Sequence, residues 1–142
     1  MKCKLTPELS SGDWKDFCSR FHFASTDLPH IQAIYTALLP LVECYAYYSL
    51  DQDLDEVSLS HYAYGFVTLG TGLDELSELY LNHEQIQEAY IVDCISLVLL
   101  SKAYEAFAHV VENQTNLHLA ELSFLGDTYS LDLLPQIYEH LA

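Results

Sequence analysis

The sequence predicts an α+β domain, a small antiparallel sheet packed with helices, one of them long and central. Two observations predict it. A stretch from about His83 to Asn113 holds no proline or glycine and carries apolar residues at threes and fours. Three short segments rich in aromatic and apolar residues, Cys44–Leu50, His61–Leu69 and Leu117–Phe124, lie between turn signals and read as strands. The chain has 142 residues, which suits one domain, and is 51% hydrophobic, enough to pack a core without a disulfide or a metal.

The elements follow in order. Met1 to Leu9 has no clear period. Ser11 reads as a helix N-cap, with Asp13 in the first turn and Trp14, Phe17, Cys18 and Phe21 at helical spacing. Asp27 caps a second helix, Pro29 sits in its tolerant first turn, and Pro40 ends it. Its apolar stripe is Ile31, Ile34, Tyr35, Leu38 and Leu39. The strand Cys44–Leu50 leads into an acidic loop with Asp51, Asp53, Asp55 and Glu56. That loop lacks the glycine and the closing glutamate of an EF-hand, so it reads as solvated. After the strand His61–Leu69, the segment Gly70-Thr71-Gly72 breaks the pattern. Its spacing fits neither the dinucleotide nor the P-loop fingerprint. Leu73–Leu81 reads as a short helix.

In the long helix, Ile86, Ala89, Tyr90, Asp93, Leu97, Leu100, Tyr104, Phe107 and Val111 make the repeating stripe. Between Ile91 and Leu100 the apolar surface runs nearly all the way round, which predicts a helix covered on most sides, with Leu97 in the core. Asp93 within it is then a buried carboxylate in need of a partner. The third strand follows, then a turn at Gly126 and Asp127. A last helix runs from Leu131 to Leu141, capped by Ser130 and interrupted by Pro135.

The charge is lopsided, with 21 acids against five bases, and from Phe21 onward the only base is Lys102. Such a surface repels nucleic-acid phosphates and anionic membranes and offers no arginine fork for a phosphorylated ligand. It suits a basic partner or a cationic ligand, or serves solubility alone. Eleven tyrosines suit a half-wet pocket or an interface, or simply fill strand and helix faces. Cys3, Cys18, Cys44 and Cys94 form no C-x-x-C pair, so neither a zinc nor a redox centre has local support. Met1 to Thr6 is too charged and short for a signal peptide, and Ile95–Leu100 falls far below the roughly 20 apolar residues that span a bilayer. The expected location is cytoplasmic.

No complete catalytic site is legible. Glu105, His109 and Glu112 share one face of the long helix, a spacing that can bind metal, but a di-iron bundle needs a second set on another helix. Glu84 and Glu88 are on the same helix, so the reading is a solvated face. No serine or cysteine stands in a nucleophile motif.

Three stretches carry a resemblance. In Leu28 to Tyr48 a helix ending Leu39-Pro40-Leu41-Val42 runs into an aromatic strand. In Gly65 to Leu81 a strand ends at Thr68-Leu69-Gly70 and a helix follows. In Ala89 to Ala106 an Ala-x-x-x-Asp pair stands at Ala89 and Asp93. In these the chain resembles the activation domain of cobalamin-dependent methionine synthase, in its small stand-alone form. The resemblance implies an α+β fold, S-adenosylmethionine as ligand and a corrinoid or methyltransferase protein as partner, with no nucleic acid or membrane involved. It implies a structural role for Asp93, capping or bonding a backbone group. The family's ligand loop has the form Arg-x-x-Pro-Gly-Tyr, and the matching stretch is Ser123 to Tyr129. The resemblance therefore places cofactor binding at Gly126, Asp127 and Tyr129, with tyrosines of the middle strands as a wall. The proline and the arginine are absent, and Asp127 would repel the ligand's carboxylate. The function implied is that of a non-catalytic or degenerate relative, an accessory module in corrinoid or methyl-transfer metabolism. A different reading is a small acidic helical chaperone or adaptor that binds a partner protein. Pairing of the Tyr45–Leu69 region as a sheet favours the first, and a helix there favours the second.

Overall fold

The computed structural model describes residues 1–49 and 64–115, with isolated helical positions at Leu134, Pro135 and Glu139. The expected acidic loop, third strand Leu117–Phe124, the turn at Gly126 and nearly all of the last helix lie outside the described residues.

Within them the fold is α+β, as the sequence predicts. Strand β1 (Lys2–Lys4) is followed by helix α1 (Asp13–Phe21) and helix α2 (Leu28–Leu38). Then come β2 (Tyr45–Ser49), β3 (Tyr64–Thr68), α3 (Gly72–Asn82) and α4 (Ile86–Thr115). The sheet order is β1-β2-β3, both pairs antiparallel, with Tyr47 opposite Lys2 on one side and Phe66 on the other. Two of the three expected strands therefore pair as expected. The opening residues, which show no period, supply the third described strand. Three residues are too few for alternation to register, and β1 is held by the backbone of β2, beginning with the Met1 ammonium donating to the Tyr48 carbonyl at 2.8 Å.

Local signals place the helix ends. The cap of α1 is not Ser11. The Asp13 carboxylate reaches back to accept from the Ser10 amide at 2.6 Å and the Ser10 hydroxyl at 2.9 Å, and Lys102 of α4 donates to it at 3.1 Å. The Ser10 bonds first, then the ammonium, hold the Asp13 carboxyl below its ordinary range. Pro40 ends α2 as expected, in the 3₁₀ turn Leu39–Leu41.

Helix α4 spans two cores. Its first half enters a cluster with Trp14, Phe17, Ile31, Ile34, Leu38 and Leu73 through Ile91, Val92, Cys94, Ile95 and Leu99. Its second half carries Ala103, Ala106, Phe107 and Val110 under the inner face of the sheet, against Leu5, Cys44, Ala46 and Tyr48. Tyr48 buries its ring edge-on to Phe107 and keeps its hydroxyl satisfied by Gln114 at 2.8 Å. The face that turns inward is only in part the one expected: Ala89 is buried and Phe107 packs under the sheet, but other members of the expected stripe do not turn inward. Ile86, Tyr90 and Leu97 are exposed, Leu97 at 52%, and so is Asp93. Leu97 is thus no core residue, and Asp93 bears no burial cost. Asp93 shows no bond to a backbone group among the described residues, so the expected structural role is corrected too.

All four cysteines are free thiols. Burial pushes the thiol pKa of Cys44 and Cys94 up. In the native protein at neutral pH a thiol reagent should label Cys3 and Cys18, which are half-buried, while Cys44 and Cys94 react only in denaturant. Fast native labelling of either, read by mass spectrometry of peptides, would contradict this packing.

Candidate functional site

The sheet has two chemically different faces. In β2, Ala46 and Tyr48 turn inward and are buried, so Tyr45 and Tyr47 turn outward. The register places Lys2 and Lys4 of β1 on the same outer face, across from Tyr47 and Tyr45. The Lys2 ammonium lies 4.3 Å from the centre of the Tyr45 ring and 5.4 Å from that of Tyr47. The two rings are 6.4 Å apart at 45° and form a shallow aromatic corner under that cation.

A groove of about 590 Å³ opens over this corner. Besides the two tyrosines it is lined by Lys2, Lys4, Pro40, Val42, Glu43, Thr68 and Gly70. The turn at Gly70 is tightly specified. The Gly70 amide donates to the Thr68 hydroxyl at 3.1 Å, and the Glu43 amide donates to the Leu69 carbonyl at 3.0 Å. Gly70 takes a left-handed backbone at φ +83°, which glycine adopts without steric cost.

One ammonium group, that of Lys2, lies against the two ring faces, and Lys4 and Glu43 also line the groove. Among the described lining residues there is no histidine, cysteine or serine, so no nucleophile there is paired with an imidazole base.

Tyr45 and Tyr47 of the middle strand line the groove; the site at Gly126 to Ser130 that tyrosines were expected to wall falls outside the described residues. The ligand-loop residues Gly126, Asp127 and Tyr129 lie outside the described residues. The lysines are what sequence reasoning missed. The charge count placed four bases in the first twenty residues, but nothing local in Met1–Leu9 says that Lys2 and Lys4 stand over the aromatic face. Lys-x-Lys at strand spacing was the available signal.

Glu105 and His109 are exposed, and among the described residues no three histidine, cysteine or acidic side chains are placed to hold a metal ion. No described helix is long and apolar enough to cross a membrane. No protein-family model matches this chain, and no curated protein matches it in sequence.

Proposed function

We propose that the protein is a non-catalytic accessory module of corrinoid or methyl-transfer metabolism, a degenerate relative of the activation domain of cobalamin-dependent methionine synthase. The observation that carries this reading is the antiparallel pairing of Tyr45–Ser49 with Tyr64–Thr68. A mostly helical adaptor would have a helix there. The pairing leads through the Gly70 turn into α3 and sets the tyrosines beside that turn, in the element order of the resemblance. The module binds a corrinoid or methyltransferase protein and leaves the methyl transfer to the cofactor of that partner.

S-adenosylmethionine binds it weakly or not at all. The ligand's carboxylate lacks the arginine fork. Lys2 and Lys4 offer point charges instead, and Lys2 is already held over Tyr45. Loss of the fork, with Asp127 in the matching loop, costs about a hundredfold or more in affinity. Titration calorimetry checks both halves of the reading. No saturable binding of S-adenosylmethionine is expected in the micromolar range, whereas a corrinoid methyltransferase loaded with cobalamin should bind the module and co-sediment with it. Micromolar S-adenosylmethionine binding would overturn the degenerate site. Failure of the loaded methyltransferase to bind would overturn the accessory role.

A further inference from the structure

We infer that the uncovered strip of α4 from Ile86 to Leu97 is a docking face for a basic amphipathic helix of another protein. Residues Ile86, Tyr90, Asp93 and Leu97 follow one another at spacings of four, three and four, so they fall within about 60° of one helix face over roughly 16 Å. Ile86 is 70% exposed, Tyr90 48% and Leu97 52%. On either side of the strip α4 is buried, at Ala89 and Val92 on one flank and Cys94 on the other, so the backbone that presents it is rigid. Leu79 and Leu81, each 52% exposed, add apolar surface in the last turn of α3, where the chain turns back toward Ile86. Large apolar side chains exposed in register on a fixed helix mark an interaction surface rather than scattered surface residues.

Charge selects the occupant. The chain carries a net charge of −16, and Asp93 stands in the middle of the strip and makes no salt bridge among the described residues. A second copy would bring the same acid and the same net charge to the contact, and an anionic lipid surface is repelled as well. A helix with leucine-type residues at the same spacing and lysine or arginine facing Asp93 meets both the apolar and the charged demand. This face lies on α4, apart from the sheet groove, and the inference holds whatever binds there.

The probe is a peptide of about 20 residues, leucine at alternating three and four spacing with lysine elsewhere, long enough to form a helix when bound. Its control replaces every lysine with glutamate. The lysine peptide should shift the backbone amides of Ile86 to Leu97 in nuclear magnetic resonance spectra of the whole protein, and the glutamate peptide should not. Leu97→Asp should weaken the lysine peptide about tenfold or more. That variant makes the protein more negative, so non-specific attraction would strengthen instead, and the two causes move the affinity in opposite directions. Ile86→Ser, at the exposed start of the helix, repeats the test without adding charge. Shifts confined to the sheet groove, equal binding of the glutamate peptide, or tighter binding by Leu97→Asp would each overturn the inference. So would a protein dimer in sedimentation that Leu97→Asp dissolves, since the face would then belong to a second copy.

Discussion

Ile95→Asp is expected to abolish folding, while Leu97→Asp, two positions along the same helix, leaves the protein folded. Ile95 has no exposed surface and lies in the cluster that joins α4 to α1, α2 and α3. No salt bridge among the described residues involves that cluster, so a carboxylate there would be buried without a partner. That costs several kcal/mol, against a total stability of about 5–15 kcal/mol for a domain of this kind. Leu97 is more than half exposed, and its replacement loses little burial. The remaining cost is the poorer helix propensity of aspartate, about half a kcal/mol. Circular dichroism with urea titration separates the outcomes. Ile95→Asp should show no cooperative transition, and Leu97→Asp should melt within a few degrees of the parent. A cooperatively folded Ile95→Asp, or an unfolded Leu97→Asp, would mean that α4 in solution is rotated about its axis, with Leu97 inward and Ile95 outward.

The second large effect is expected at Gly72. This residue opens α3 directly against the turn that ends α2. A Cβ added there would stand 2.6 Å from the Leu41 carbonyl oxygen and 3.1 Å from the Leu41 Cβ. The nearer atom is backbone, which cannot swing aside, so α3 or the 3₁₀ turn has to move. Gly72→Ala should therefore destabilise by about 1–3 kcal/mol, even though alanine is the better helix former by about 1 kcal/mol. Gly70→Ala should cost about 1–2 kcal/mol for a different reason, its left-handed backbone. The two substitutions act on one turn, so their costs should not add. Urea denaturation of the single and double variants measures this. A Gly72→Ala protein more stable than the parent would show that the contact with Leu41 is loose in solution.

Residue types and spacing within the chain determined a good deal by themselves. Aromatic segments between turn residues named β2 and β3. Pro29 and Pro40 bracketed α2, because proline suits a first turn and cannot continue an interior. The absence of glycine and proline over 30 residues named α4. These are local signals, and local backbone chemistry suffices to read them.

What the tertiary structure decided was everything that depends on a neighbour distant in sequence. The place of Lys2 and Lys4 over Tyr45 and Tyr47 depends on a strand pairing across more than forty residues, which no window of Met1–Leu9 contains. The orientation of α4 is the clearest case. With apolar residues nearly all round, its periodicity is satisfied by two opposite stripes, and spacing alone cannot say which faces inward. Packing against α1, α2 and α3 chose the stripe with Ile91, Val92, Ile95 and Leu99, and left the one with Leu97 in solvent. One clue was present: Asp93 is the only acid between Ala89 and Tyr104, and it sits on the exposed stripe. Desolvating a carboxylate costs more than exposing a leucine, so Asp93 favours the solvent side where the hydrophobic pattern is symmetric, while Lys102 pairs with Asp13 of α1.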